Sequence, residues 1–269
     1  MEKFFGIFSE LIKNKIARPV EGYSGPEAKI YDSIQGSFNM EIPFYKSFLN
    51  DKKRNVLELG CGTGRLLIEF AKEGCFITGI DNSEDMINIC REKSKKLSKK
   101  IQSNIEVINS DMGSYKLEKK YDLIIVVINT FQHIITINDK IMVLKTAKKH
   151  LNDNGYIIID TQYLRESAPV KSNISCNLIK TNNNESLYMY QSDFDALTKI
   201  EKHNTLQIKF NNKKPNDVIV SSYYLRIDTI QEMESIVEKA GLHITNLYSN
   251  WKKEPVKNES RNIIYVLSK

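Results

Sequence analysis

The stretch Val56-Leu57-Glu58-Leu59-Gly60-Cys61-Gly62-Thr63-Gly64-Arg65 decides how this chain is read. An apolar run suited to a buried strand passes into three glycines on alternate positions, and a helix opens beyond them. The glycines let the backbone turn sharply and approach a ligand with no Cβ in the way, while the helix N-terminus presents unpaired N–H groups. The polar end of a ligand is expected there. A dinucleotide fingerprint, G-x-G-x-x-G, would need its third glycine where Arg65 stands; this string reads G-x-G-x-G, which counts against NAD or FAD.

Outward from that stretch, residues 55 to 160 alternate apolar runs with helical patterns, as a parallel sheet with crossover helices requires. Strands are expected near 55–59, 75–80, 104–108, 121–128 and 156–160. The first helix runs from about Gly64 to Glu73 and stops at Gly74. The second opens at Ser83, a good N-cap with Glu84 and Asp85 in its first turn, and ends in lysines that suit the negative helix end. A third, from about Asn138 to Leu151, leads through the turn signal Asp153-Asn154-Gly155 into the fifth strand.

After Asp160 the texture changes. Residues 172–227 alternate on a period of two, as in Leu206-Gln207-Ile208-Lys209-Phe210, with polar breaks at 182–184 and 211–216, which predicts an antiparallel meander. Thr229, Gln231 and Glu232 open a helix with a capping-box pattern ending at Gly241, and strands follow at about 243–248 and 261–267. The domains expected are an N-terminal helical cap (1–50), a core (51–160), an inserted β lid (161–227) and a returning helix and hairpin (228–269).

At 269 residues the chain can bury a full core. Its formal charge of +6 is spread among residues of both signs, with no aromatic–basic interleaving, so a nucleic-acid partner is disfavoured. Cys61, Cys75, Cys90 and Cys176 show neither C-x-x-C spacing nor disulfide density, which suits a reducing, cytoplasmic setting. His150, His203 and His243 are scattered, and no metal site is expected. The segment from Met1 to Arg18 is too short and too charged for a membrane span; it reads as an amphipathic helix packed on the protein's own surface rather than on a membrane.

With Glu58 two residues before the first glycine, the opening string resembles motif I of the class I S-adenosylmethionine-dependent methyltransferases. The order of elements from about residue 30 to 269, and the tail Tyr224-Leu225-Arg226 through Asn246-Leu247-Tyr248, resemble the same family. The resemblance implies a Rossmann-like α/β fold with a seven-stranded sheet, S-adenosylmethionine as methyl donor and S-adenosylhomocysteine as product. It implies that Glu58, Gly60, Cys61, Gly62 and Gly64 surround the methionine end and that Asp81, with Asn82 and Met86, takes the ribose side, a carboxylate that only stabilises the start of the next helix being the alternative for Asp81. It also places Asp111 and Met112 at the adenine, a plain turn being the alternative for Ser110-Asp111, and Asn129, at the end of a strand similar to motif IV that lies beside the methyl group, in contact with the methionine portion or the substrate. Tyr31, in a Tyr31-Asp32 element, is the candidate partner of the methionine carboxylate, with simple core packing as its alternative; Arg65 either neutralises that carboxylate or faces solvent.

Ligands of open α/β sheets bind at the carboxyl ends of strands, so Asp160 is the leading candidate to orient an acceptor amine, with a helix cap or salt bridge as the alternative. His133, on the loop after Asn129, is a candidate substrate-side residue and base, and Tyr163, Tyr188, Tyr190 and Tyr223 are candidates for an aromatic cage. The function expected is methyl transfer to a small molecule or short peptide, an amine nitrogen favoured over oxygen or carbon, by a monomer or homodimer. A nucleic-acid methyltransferase would carry an Asn/Asp-Pro-Pro-Tyr/Phe motif where this chain has Asn129-Thr130-Phe131-Gln132. A non-catalytic cofactor-binding protein is the other class left open.

Overall fold

The computed structural model describes residues 3–35, 40–50, 54–163, 174–181, 184–257, 260 and 262–269. They fall into two compact units, Met1–Ser37 with Ser167–Arg226, and Phe38–Glu166 with Ile227–Lys269. The chain opens with α1 (Gly6–Lys13), β1 (Arg18–Glu21), α2 (Gly25–Gln35) and α3 (Ile42–Lys46). There follow β2 (Asn55–Leu59), α4 (Arg65–Lys72), β3 (Phe76–Asp81), α5 (Glu84–Lys95), the short α6 (Lys99–Gln102), β4 (Ile105–Asn109) and β5 (Tyr121–Val126). A 3₁₀ turn (Thr130–His133), α7 (Ile137–His150) and β6 (Leu151–Gln162) complete that run. Four antiparallel strands come next, β7 (Ile174–Thr181), β8 (Asn184–Asp195), β9 (Ile200–Asn211) and β10 (Lys214–Arg226), before α8 (Ile230–Lys239), β11 (His243–Tyr248) and β12 (Asn262–Ser268).

The larger unit is an α/β fold around a seven-stranded sheet of order β11-β12-β6-β5-β2-β3-β4. Strands β2 to β6 run parallel, and β12 and β11 add an antiparallel hairpin to the β6 edge. The chain steps outward from β2 to β3 and β4, then crosses back to lay β5 on the other side of β2. That reversal opens a crevice beyond the carboxyl ends of β2 and β5, the place where such sheets take ligands. Alternate residues of each strand feed two cores. Leu57, Leu59, Ile124 and Val126 pack with Leu144, Ile236 and Val237 on one face. Val56, Leu123 and Ile125 pack with Phe44, Leu67, Phe70 and Ile87 on the other. Each such side chain contributes on the order of 1.5–3 kcal/mol by leaving water.

Several elements depart from expectation for local reasons. The turn signal Asp153-Asn154-Gly155 lies within β6, where pairing jumps from Tyr121↔Leu151 to Leu123↔Tyr156, so a bulge stands where a turn was expected. Asp122 braces it, accepting from Asn152 Nδ2 at 2.7 Å and from the Asn55 N–H at 3.1 Å. The first fifty residues are not a purely helical cap. Arg18–Glu21 is a strand, and residues 38–50 belong with the core, where Phe44 and Tyr45 are buried.

The smaller unit is a five-stranded sheet of order β1-β10-β9-β8-β7, all antiparallel except β1, which pairs parallel with β10. β9 and β10 join through Asn212 and Lys213, both at positive φ, as the two-residue primed turns of hairpins require. Amphipathic α1 buries Phe8 against Leu206 and Val220, so its apolar side has a partner within the protein.

A buried ion pair joins Lys140 of α7 to Asp228, which precedes the N-cap of α8, the Lys140 ammonium also lying 5.2 Å from the centre of the Phe131 ring. Replacing Lys140 with Met takes this cation from a buried carboxylate and should lower stability by about 3–5 kcal/mol in urea unfolding. The double variant Lys140→Met/Asp228→Leu should recover most of that loss.

Candidate functional site

The turn after β2 is clamped to the end of β3. The N–H groups of Gly60 and Cys61 both donate to the Ile80 carbonyl, at 2.7 and 2.9 Å, and the Gly62 N–H donates to Asp81 Oδ2 at 2.8 Å. Asp81 Oδ1 accepts from the Ser83 N–H at 2.9 Å, so one carboxylate ties the glycine turn to the start of α5. Burial pushes the Asp81 carboxyl up, and the N–H groups of Ser83 and Gly62 pull against that rise. Each carboxylate oxygen keeps a further lone pair for a ligand donor. All three glycines have positive φ, but their surroundings differ. A Cβ on Gly60 would stand 2.2 Å from Thr130 Cγ2 and one on Gly64 2.4 Å from Cys90 Sγ, while one on Gly62 would meet nothing within 4 Å. Gly60 and Gly64 are therefore glycine because the protein leaves no room, and Gly62 borders open space.

Beneath the turn, Glu58 is 3% exposed, and its Oε2 has no hydrogen-bond partner. Burial drives its carboxyl well above the usual range, against the pull of the Arg65 guanidinium. Arg65 does not simply face solvent, one of its two sequence-based alternatives: it is paired with Glu41, the residue before α3, which is 1% exposed and whose other oxygen, Oε2, has no partner among the described residues. Glu41 carried no signal in the sequence, because nothing local marks a carboxylate whose counter-ion lies 24 residues on.

At the end of β5 the backbone is strained. Ile128 and Asn129 both have positive φ, at 50° and 61°, and Ile128 is β-branched, which makes this conformation a genuine outlier. The segment is held by β6: the Asn129 N–H donates to the Asp160 carbonyl at 3.2 Å, and Asn129 Oδ1 accepts from the Gln162 N–H at 3.0 Å. Asn129 is thus brought next to Asp160, and His133 closes the 3₁₀ turn that follows.

Asp160 is 5% exposed and, among the described residues, neither caps a helix nor forms a salt bridge. Its Oδ2 accepts from the Tyr45 hydroxyl at 3.2 Å and from Trp251 Nε1 at 3.0 Å. Burial is the main influence on its carboxyl, which is pushed up to about 6; Trp251 and Tyr45 act to lower it, the Glu41 charge to raise it and Arg65 to lower it. Tyr45 and Trp251 were not singled out in the sequence. Each comes from a distant segment, and Trp251 lies in the connection between β11 and β12.

The remaining candidates are distributed as follows. Asp111 makes a tight turn, its Oδ1 accepting from the Gly113 N–H at 2.7 Å, and Met112 packs partly on the core below. Asn82 is exposed, Met86 is buried along α5 with Ile87 and Cys90, and Cys61 is buried against Cys90, its thiol pushed up mainly by that neighbour. Tyr31 belongs to the smaller unit, its ring edge-on to Tyr23 at 6.0 Å. Tyr163 is in the larger unit and donates to the Lys257 carbonyl at 3.2 Å; in the smaller unit Tyr190 and Tyr223 flank His203, and Tyr190 packs on the cluster of Tyr188, Ile30 and Ile179. Leu164, Arg165 and Glu166, which continue the segment begun by Asp160, lie outside the described residues.

Residues 56–155 match the family model described as "Methyltransferase domain". The putative methyltransferase YqeM of Bacillus subtilis is 20% identical over 245 residues, which span 90% of this chain and 95% of that protein. Other curated relatives, among them O- and N-methyltransferases, are matched over half their length or less. The CcbJ methyltransferase of Streptomyces caelestis superposes with a TM-score of 0.76 at 19% identity, over 92% of this chain and 98% of that one. The sugar N-methyltransferase KedS8 of a Streptoalloteichus species gives 0.74 at 12% identity, over 91% and 94%.

Two consequences can be measured. Gly62→Ala should lose only the ~1–2 kcal/mol that a left-handed alanine costs. Gly64→Ala adds a contact with Cys90 and should lose about 2–5 kcal/mol, both read by urea unfolding. Asp160, raised from 3.8 to about 6, is a source of stability that is complete below pH 4 and lost as the pH rises through 6. Asp160→Asn should therefore gain up to about 3 kcal/mol over the unchanged protein at pH 8 and nothing at pH 4, measured by denaturation at both pH values.

Proposed function

We propose that the chain is a class I S-adenosylmethionine-dependent methyltransferase, a reading supported by the matching methyltransferase domain model and relatives, and that it methylates the amine nitrogen of a small molecule or short peptide. The observation that carries this reading is Asp160: a buried carboxylate at the carboxyl end of a sheet strand, held through one oxygen by Tyr45 and Trp251, with its carboxyl at about 6. The names of several relatives point the same way, a sugar N-methyltransferase and a peptide N-terminal methyltransferase among them.

The residues present suit the methyl donor. Glu58, with an unpartnered buried oxygen, suits its ammonium, and the open space at Gly62 suits the close passage of its methionine chain. The spare lone pairs of Asp81 suit two ribose hydroxyls, and Asp111 and Met112 the adenine. Asn129, held in the left-handed region beside Asp160, suits a contact near the methyl group. When bound, S-adenosylmethionine supplies a methyl carbon already activated by a positive sulfur.

The chain's own work is then alignment, exclusion of water and movement of one proton. Holding nucleophile and methyl carbon in line can supply several of the roughly 7–11 kcal/mol available from orientation. An amine arrives protonated at neutral pH, and its nitrogen has no lone pair until that proton leaves. Asp160 Oδ1, which accepts no hydrogen bond among the described residues, is the proposed recipient, and a carboxyl near 6 is ionised at pH 7 yet basic enough to take it. Tyr45 and Trp251 fix the carboxylate plane through Oδ2 meanwhile.

Calorimetry should give micromolar binding of S-adenosylmethionine and S-adenosylhomocysteine and none of NADH; binding of NADH alone would overturn the cofactor assignment. Asp81→Asn should weaken S-adenosylhomocysteine at least tenfold, since a hydrogen bond to a charged group is worth about 1.5–3 kcal/mol. With an amine that turns over, kcat/KM should rise with pH through about 6 because the ionised Asp160 is the active form. Asp160→Asn should lower turnover and remove that limb while leaving S-adenosylhomocysteine affinity within twofold. Loss of both together would assign Asp160 a structural role.

A further inference from the structure

Three buried carboxylates act on a single guanidinium in the larger unit. Glu41 is in contact with Arg65, while Glu58 and Asp160 feel its charge. Their exposures are 1%, 3% and 5%, so bulk water does little to solvate their ionised forms. Uncompensated charge in such a place is costly unless a cation arrives or a proton stays. Glu58 is answered by the ammonium of the methyl donor in the reading given above. Glu41 is not: Arg65 reaches its Oε1, and Oε2 is buried with no partner. The Glu41 charge is felt both by Asp160 and by the Tyr45 hydroxyl that holds Asp160.

We propose that Glu41 and Asp160 form a two-carboxylate seat for the ammonium group of the acceptor, Arg65 holding Glu41 in place and Tyr45 and Trp251 holding Asp160. The inference rests on the amine reading and adds to it a second anchor on a different element, the residue that leads into α3. An ammonium suits the seat better than a metal ion. Hard divalent cations need six or more oxygens, and among the described residues no three His, Cys, Asp or Glu side chains group as metal ligands. An ammonium carries three donors, enough to meet Glu41 Oε2 and Asp160 Oδ1 and leave one over. The seat also gives a basis for selection: a neutral hydroxyl acceptor would bring no charge to Asp160 and could not supply donors to both Asp160 Oδ1 and Glu41 Oε2, a loss that favours amines over alcohols of the same shape.

The groups that act on Asp160 are Tyr45 and Glu41 from the α3 segment, Trp251 from the β11–β12 connection and Arg65 from α4. Trp251 is the chain's single tryptophan, and its indole N–H donates directly to Asp160, so its fluorescence reports the charge on that carboxyl without any acceptor in hand. The experiment is a pH titration of Trp251 emission in the full chain, saturated with S-adenosylhomocysteine so that Glu58 is occupied, with and without methylammonium chloride. Sodium chloride at equal ionic strength and methanol serve as controls.

Methylammonium should move the emission midpoint of the unmodified protein to lower pH, because the cation binds the ionised pair, and neither control should do so. Glu41→Gln should move the midpoint down without the cation and weaken methylammonium at least tenfold, while Asp160→Asn should abolish the transition. A midpoint indifferent to methylammonium in the unmodified protein would overturn the seat, and needs no variant to fold. Glu41→Gln binding methylammonium as the unmodified protein does would overturn Glu41's part in it. Should S-adenosylhomocysteine fail to bind, the proposed function falls, and the same titration without it still reads the seat.

Discussion

The fold's functional end depends on the clamp between the turn after β2 and the end of β3. Two consecutive N–H groups share the Ile80 carbonyl, and a third, from Gly62, reaches the Asp81 carboxylate. A backbone that bends this tightly and still satisfies its donors must pass through the left-handed region three times, which glycine does at no steric cost. Its neighbours then close in: Thr130 occupies the space beside Gly60, and Cys90 that beside Gly64. The turn is thus rigid on the two sides that face protein and open on the side of Gly62.

That rigidity has a counterpart across the crevice. The backbone beyond β5 takes two successive positive φ values at non-glycine residues, Ile128 and Asn129, a conformation that persists only where surroundings enforce it. Here β6 does so, through the Asp160 carbonyl and the Gln162 N–H. The peptide that pins Asn129 therefore belongs to the same residue whose side chain is buried against Tyr45 and Trp251. Backbone strain on β5 and a raised carboxyl on β6 share one hydrogen-bonded junction, and the methyl-transfer reading depends on that junction staying in place.

Electrostatics gives the larger unit a directional character. Its buried carboxylates outnumber the cations that answer them around Arg65, and the imbalance is held by packing rather than relieved by solvent. Elsewhere the same unit pairs a buried cation with a buried carboxylate, as Lys140 and Asp228 show. A fold that pairs one buried ion yet leaves oxygens of Glu41 and Glu58 without partners among the described residues is suited to ligands that bring positive charge.

The parallel sheet, the glycine turn, the helix caps at Ser83 and Thr229 and the meander after Asp160 were all legible in the sequence, because each is governed by residues within a few positions of one another. Period-two and helical spacing, glycine at positive φ and capping hydroxyls are local physics. Asp81 and Asp160 could be singled out because a strand's end is itself readable. The partners were not: Glu41 for Arg65, Tyr45 and Trp251 for Asp160, and β1 for β10 are joined across 24 to about 200 residues. Nor could the bulge at Asp153-Asn154-Gly155 be told from a turn, since which of the two forms depends on whether a neighbouring strand, here β5, is there to pair. Sequence by itself determined the frame and the positions where chemistry could lie; tertiary packing decided which charges face one another, because burial and long-range contact exist only once the chain has closed on itself.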